Sequence, residues 1–560
     1  MVLAVAIGAG AGLGSVVFRW CIQAFTHLFS GHADYTASPG SHNPHVPWLG
    51  PYFVLLAPVL GGLLYGPLVN RFAKEARGHG VPEVMLAVAQ GGGRISPKVA
   101  VVKTLASALT IGSGGSVGRE GPIVQIGSAL GSTLGRVAQV TEGRMKLLVA
   151  CGAAGGIAAT FNAPLAGVFF AMELILGTFS AEAFGATVLA SVTASVIGRA
   201  AFGDVAFLNL PAFHVDHLAQ YALFALLGVV AAVVGVGFSR FLYLVEDTCD
   251  WAWRGPEWLR PAVGGLALGL VLLVLPQMYG VGYPVLEKAT EGGYAVGFLL
   301  LLLVGKMVAT SLTIGIGGSG GVFAPSLFIG AMLGAAYGIG VRDLLPGTAG
   351  AVGAYALVAM GAVFAGAARA PITAVVILFE LTGEYSIILP LMLAIVLATG
   401  VSRLLSRDTI YTLKLSRRGI DLDGPARGAP IGAQDVGTVM EPLPSPLPSS
   451  TALSDAADLL SLSGHGALPV VDDTGNYVGV VTAQAVAEAL AEQADTAPAR
   501  VGQLTEPPAP VTVDQPLAHA LPALLSTAGT GVPVLDTAHG KPVGWLSHHS
   551  ALRAVHTAAA

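Results

Sequence analysis

The chain has 560 residues, of which 54% are hydrophobic and only 11% charged, against about 25% charged in ordinary soluble domains. Most of it therefore belongs in a lipid bilayer. A formal net charge of −5 is small for this length and points away from a nucleic-acid partner. Three cysteines, Cys21, Cys151 and Cys249, stand far apart in or beside apolar segments. They show neither metal spacing nor a disulfide framework and read as buried small hydrophobes.

The apolar run 2–18 has no basic stretch before it, and Arg19 and Trp20 follow where a signal peptide would carry small residues. It is predicted to be the first membrane helix. From Trp20 to Asn70 there is no Lys or Arg, and then Arg71, Lys74 and Arg77 arrive together. The positive-inside rule puts the 25–47 loop outside and 71–77 in the cytoplasm, with the N-terminus cytoplasmic too. Gly78-His-Gly-Val-Pro82 then leads into a short segment, 82–90. Segments 123–134 and 163–176 are also short and broken by Gly or Pro, whereas 221–243, 262–278 and 297–312 are long enough to span about 30 Å. Short, interrupted segments in matching halves of a chain point to a transport site near the bilayer midplane.

Residues 112–122 read Gly-Ser-Gly-Gly-Ser-Val-Gly-Arg-Glu-Gly-Pro. A glycine-rich turn before a helix that begins at proline offers backbone N–H groups and the positive helix end to an anion. Glycine lets that backbone approach closely. Charges in such apolar surroundings, Arg119 and Glu120, mark an ion path or a proton relay. A phosphate-binding loop would need a Gly-Lys-Ser/Thr sequence that is absent, and close helix packing is the plainer use of the glycines.

The same pattern recurs. Lys103-Thr-Leu-Ala-Ser-Ala-Leu-Thr-Ile-Gly112 matches Lys306-Met-Val-Ala-Thr-Ser-Leu-Thr-Ile-Gly315 at an offset of 306 − 103 = 203, which holds through Pro122/Pro325 to Gly131/Gly334. Ala163-Pro164…Glu173 is echoed by Ala370-Pro371…Glu380. Past residue 405 a basic run, Arg407, Lys414, Arg417 and Arg418, reads as cytoplasmic. The predicted organisation is a membrane domain, 1–418, with repeats at about 1–205 and 218–418; a linker, 419–434; and two soluble units, 435–491 and 500–555. Each soluble unit has a β-rich run, a helical stretch (452–462 and 517–525) and a hairpin closed by Gly475 or Gly540. Entry loops are predicted at 442–448 and 507–510.

Here a family resemblance enters. Gly78-His-Gly-Val-Pro82, Gly118-Arg-Glu-Gly-Pro122 and Gly321-Val-Phe-Ala-Pro325 resemble the anion-site signatures of the chloride channel and chloride/proton exchanger (CLC) family. Asn162-Ala-Pro-Leu-Ala-Gly167 and Tyr411 fit in order and position, so the resemblance covers about residues 2–418. The C-terminal pair resembles tandem cystathionine-β-synthase-type (CBS) domains. The fold class expected is a polytopic α-helical membrane protein with two inverted repeats of short, tilted and broken helices, plus a cytoplasmic α/β CBS pair. The expected function is transport of chloride or another small anion, as channel or proton antiporter, by a homodimer with one pore per subunit. The alternatives are a membrane-anchored sensor and a phosphate-handling membrane enzyme. The latter would need a nucleophile or metal cluster near residues 112–122, where only Glu120 could serve.

Carried over by resemblance, Glu120 is the gating glutamate, with backbone amides of Arg119 and Gly121 at the outer site. Amides of Val322 and Phe323 and the Tyr411 hydroxyl would hold the central ion, beside His79 and Gly80. Two departures matter. His79 stands where most members place a hydroxyl-donating serine; a neutral imidazole donates one hydrogen bond and a protonated one adds charge, so His79 is expected to contact the ion and add pH dependence. Leu174 stands where exchangers commonly carry the internal proton acceptor, which leaves Glu120 and Glu173 as proton-path candidates. The fluoride-exporting branch lacks the Gly-x-Gly-x-Pro pattern kept here, which favours chloride. No cofactor or metal is expected. Thr482 and Ser547 occupy nucleotide-site positions of the CBS pair, but the acid that grips ribose is missing after each, which argues against adenine nucleotide there.

Overall fold

A computed structural model describes residues 1–203, 217–348, 350–420, 434–492, 500–505, 511–527, 530–536 and 540–559. It divides into two compact units, Met1–Leu422 and Asp423–Ala560. In the first unit one series of helices runs α1 (Val2–Ser30), α2 (Phe53–Phe72), α3 (Val81–Ala89), α4 (Pro97–Gly112), α5 (Glu120–Val137), α6 (Glu142–Phe161), α7 (Pro164–Phe170) and α8 (Ala181–Phe202). A second series follows in the same order: α9 (Ala219–Ala252), α10 (Arg260–Val274), α11 (Tyr283–Thr290), α12 (Val296–Gly315), α13 (Phe323–Leu344), α14 (Val352–Ala368), α15 (Pro371–Thr382) and α16 (Ile388–Leu405). Helix α17 (Thr412–Arg417) closes the unit. Among the described residues, 8 helices are long and apolar enough to cross a membrane.

The packing repeats as well. Helices α1, α6 and α8 pack on one another as α9, α14 and α16 do, and α5 lies on α6 as α13 lies on α14. Across the repeats, α2 packs on α10 and α7 on α15. Lipid is as apolar as leucine, so helices associate in it through close contact of small residues. Gly127 and Gly152 meet where α5 crosses α6, and a Cβ on either would strike the other's carbonyl oxygen. In the second repeat Gly330 holds the position of Gly127, against the backbone of Ala359, and Gly334 that of Gly131, against the backbone of Tyr355.

Several lengths differ from the sequence pattern. The first helix continues past residue 18 and is 29 residues long; Arg19, Gln23 and Thr26 of the added stretch line a cavity. Segment 123–134, predicted to be too short to span, is the middle of an 18-residue helix that starts at Glu120, two residues before its proline. Proline is tolerated there because the first N–H groups of a helix have no intrahelical partner.

In the second unit, α18 (Val436–Val439) precedes β1 (Glu441–Pro442), β2 (Leu447–Pro448), α19 (Leu453–Ser463), β3 (Ala467–Val471), β4 (Tyr477–Thr482) and α20 (Ala483–Glu492). The pattern recurs as β5 (Val511–Thr512), α21 (Leu517–Ser526), β6 (Gly531–Leu535), β7 (Pro542–Ser547) and α22 (His548–Ala559). One sheet has the order β1-β7-β6-β5 and the other β2-β3-β4. Strand β1 pairs antiparallel with β7, so the first half lends a strand to the second. Of the predicted linker, residues 421–433 lie outside the described residues, as does the entry loop 507–510.

Replacing Gly127 with Ala should cost about 1–3 kcal/mol by overpacking, read as a lower melting temperature in detergent. Gly143, with open space around it, is the control: Gly143→Ala should cost nothing.

Candidate functional site

Three glycine-rich loops leave helical geometry and meet at the centre of the first unit. Gly118 N–H donates to Gly321 C=O at 2.8 Å and Gly321 N–H returns to Gly118 C=O at 2.6 Å. Gly78 N–H donates to Gly318 C=O at 3.0 Å, and Gly320 N–H to Gly78 C=O at 3.3 Å. Side chains complete the stitching in repeat-related pairs. Thr110 accepts from Ser319 N–H at 3.2 Å, and its mate Thr313 accepts from Ser116 N–H at 3.1 Å. Ser107 bonds Ser319 at 2.8 Å, and Thr310, its mate, donates to Ser116 C=O at 2.7 Å.

Two fully buried lysines lock the loops further. Lys103 donates to the carbonyls of Ala76 (2.9 Å) and Gly78 (2.7 Å). Lys306 donates to the carbonyls of Gly280 (3.0 Å) and Val281 (2.9 Å) and to Ser116 Oγ (2.9 Å). The loop Gly280-Val-Gly-Tyr-Pro284 thereby stands to α11 as Gly78-His-Gly-Val-Pro82 stands to α3, a correspondence the 203-residue register does not reveal because its offset is 280 − 78 = 202. The two lysines opened the sequence repeat, but their role emerges only from these contacts.

Glu120, 2% exposed, is the first residue of α5 and turns its carboxylate towards the start of α13. Oε1 accepts from Ala324 N–H at 3.0 Å. A Cβ on Gly118 or Gly321 would collide with this carboxylate, so only glycine at both positions leaves room for a negative group where the two helices begin. Ala324 is a contact that sequence reasoning missed, one residue beyond Val322 and Phe323. The Phe323 ring packs against Phe161 (centroids 5.8 Å) and Phe364 (4.6 Å). Arg119 turns away from the loop junction: its guanidinium lies over the rings of Phe161 and Tyr283 and reaches Thr160 C=O at 3.4 Å.

His79 is fully buried beside Tyr411, which is 1% exposed; the ring centroids are 6.2 Å apart. Tyr411 is thus an interior residue. His79 Nε2 lies 3.1 Å from Tyr243 Oη, and the Tyr243 hydroxyl donates to Ile410 C=O at 2.6 Å. Gly80 is the residue before α3.

Two cavities with different linings approach this buried core. One, of about 420 Å³, is lined by Arg19, Thr26, Tyr35, Arg119 and Tyr283. The other, of about 340 Å³, is lined by Lys74, Gly78, Tyr243, Glu246 and Lys414. Gly78 lines the second, and the repeat-related loop Gly280–Gly282 lines the first.

Glu173 lies in a π-helical turn, Ala171–Leu176, that continues α7. Its oxygens accept from the N–H groups of Ile372 (3.2 Å) and Thr373 (2.8 Å) and from the Thr373 hydroxyl (2.7 Å). Glu380 does the same for Leu165 (2.9 Å) and Ala166 (2.7 Å) at the start of α7. The two carboxylates reciprocally cap each other's helices, and Glu173 is occupied in that role. Leu174 is buried. In the second unit, Thr482 Oγ1 accepts from Ala485 N–H at 3.2 Å, while Ser547 donates to Glu441 at 3.0 Å and accepts from Ser550 N–H at 3.0 Å.

The chain matches the family model described as voltage gated chloride channel over residues 61–403, and that of the CBS domain over 436–492 and 501–557. It is 36% identical over 374 residues to the H(+)/Cl(-) exchange transporter ClcA of Vibrio parahaemolyticus, covering 65% of this chain and 79% of that one. It is 35% identical over 422 residues to a Ralstonia nicotianae protein described as a ClcB-like chloride channel protein, covering 74% and 96%. Among solved structures, a slow cyanobacterial Cl−/H+ antiporter aligns with a TM-score of 0.67 at 28% identity, over 75% of this chain and 97% of that one.

Replacing Glu173 with Ala should lower stability by about 0.5–2 kcal/mol, the worth of a side-chain cap, seen as an earlier melt in detergent with any proton flux retained. A variant that melts like the parent and loses only proton flux would return Glu173 to a proton path.

Proposed function

The chain belongs to the voltage-gated chloride channel family, and from that premise we propose that it carries chloride across a membrane in exchange for protons. Glu120 is the gate. The observation that carries this reading is the Glu120 carboxylate on Ala324 N–H, where the starts of α5 and α13 meet. Backbone N–H groups and positive helix ends there suit a small anion, and the ionised carboxylate mimics one. Protonation removes its charge and lets chloride take its place. Arg119, Gly121, Val322, Phe323 and Tyr411 complete the anion path, with His79 and Gly80 at its inner end.

Proton exchange is favoured by the relatives that are named as exchangers. A channel is the second reading, favoured by Leu174, which offers no proton acceptor where exchangers commonly have one. The protein works as a homodimer with one pore per subunit and both termini in the cytoplasm. The cavity lined by Lys74 and Lys414 then faces inward, and that lined by Arg19 and Arg119 faces outward. Basic residues beside the inner cavity fit the positive-inside rule. For the second unit the reading is a folding and dimer-stabilising pair without adenine nucleotide, since the acid that grips ribose is missing after both Thr482 and Ser547.

In liposomes with an outward chloride gradient, the protein should drive protons inward against their own gradient. Glu120→Gln should still pass chloride, with proton flux reduced at least about tenfold, as expected when the proton-binding group is removed. Chloride flux without proton movement in the parent protein would assign a channel. Normal coupled flux in Glu120→Gln would remove Glu120 from the gate.

A further inference from the structure

The bond from Tyr243 to Ile410 decides which nitrogen of His79 carries hydrogen. A tyrosine hydroxyl has one hydrogen, and a carbonyl oxygen only accepts. At 2.6 Å from Ile410 C=O, that hydrogen is committed, so Tyr243 Oη accepts from His79 Nε2 at 3.1 Å. The ring is therefore held with hydrogen on Nε2, and the neutral form has a bare lone pair at Nδ1. Nδ1 is buried without a hydrogen-bond partner among the described residues. A lone pair repels an anion. The neutral-donor contact predicted for His79 has no hydrogen left to make it.

We propose that His79 binds a proton at Nδ1 together with the anion, so that chloride and a proton load at the same place. This rests on the reading of the 78–80 loop as part of the anion path. Water in the cavity lined by Gly78 and Tyr243 supplies the proton, which turns the Nδ1 lone pair into a charged N–H donor. His79 then provides the second proton-binding group, beside Glu120, that Leu174 cannot be.

The surrounding charges tie the two ligands together. Lys103 on α4 bonds the neighbouring Gly78 carbonyl. Lys414 and Arg418, on and just after α17, share Glu83 of α3 at 3.9 and 2.8 Å. Tyr243 and Tyr411 flank the ring with centroids 6.3 and 6.2 Å away, Glu246 on α9 lines the cavity beside Tyr243 and Lys414, and Glu120 lies on α5. Lys103, Lys414 and Arg418 stand against the carboxylates of Glu83 and Glu246, which leaves positive charge in excess beside the ring. Another positive charge is admitted there when an anion accompanies it, whether chloride or the Glu120 carboxylate.

The test is calorimetric titration of chloride into the purified full-length protein in buffers of different ionisation enthalpy, which reads protons taken up per chloride. A Glu120→Gln background removes the gate carboxylate as a rival proton site. On that background, chloride binding near neutral pH is expected to take up close to one proton per subunit, falling to none in Glu120→Gln/His79→Ser, whose serine donates without titrating. Tyr243→Phe on the same background frees the ring to turn an N–H to the anion, so chloride should still bind with much less proton uptake. Glu120→Gln protein that binds chloride without taking up protons would overturn the proposal, as would undiminished uptake after His79→Ser. Should the serine variant fail to fold or to bind chloride, unchanged uptake in Tyr243→Phe would overturn it in its place. A channel result in liposomes would overturn proton exchange yet leave this linkage standing as proton-dependent chloride binding.

Discussion

Backbone that leaves helical geometry at membrane depth must find partners for its N–H and C=O groups inside the protein. Here each repeat supplies them to the other. The reciprocal bonds between Gly118 and Gly321 are the centre of that arrangement, and the paired Thr110/Thr313 and Ser116/Ser319 contacts extend it. Burying the ammonium groups of Lys103 and Lys306 is costly without full hydrogen bonding, and each is given carbonyls of the loops that lead into the short helices. Backbone N–H groups of these loops can be turned towards an anion only because the opposite groups of the same loops are already satisfied.

Function enters where the two repeats stop being alike. Glu120 in one faces Phe323 in the other at the same register. One repeat contributes a group that can carry or lose a charge, and the other an apolar ring packed on Phe161 and Phe364. The same holds at the loops before α3 and α11, where His79 corresponds to Val281. Symmetry builds the cradle, and these two substitutions put the titratable side chains on one repeat. The carboxylates Glu173 and Glu380 remain symmetric, and both serve the framework by capping helices.

Much of this was legible from residue order. The 203-residue register, the glycine-rich turns before prolines and the isolated Arg119-Glu120 pair in an apolar setting identified the loops that meet. Helix limits were less legible, because Glu120 and Gly121 look like loop until their first-turn N–H groups are seen to need no helical partner. The correspondence of 78–82 with 280–284 escaped a fixed register, since one residue separates their offsets. The Ala324 contact escaped because adjacent amides at a helix start are equivalent in sequence and differ only in where they point.

The sequence by itself determined the membrane setting, the duplication, the family resemblance and the residue types where the loops meet, since hydropathy, spacing and charge are local properties of the chain. Tertiary structure decided what each polar group does. Glu173 and Glu120 are both glutamates in apolar surroundings. One is held by N–H groups of α15, and the other lies where α5 and α13 begin. His79 was open between donor and acceptor until Tyr243, 164 residues away, committed its only hydrogen to Ile410. Hydrogen-bond direction depends on the whole set of partners, and only folding brings that set together.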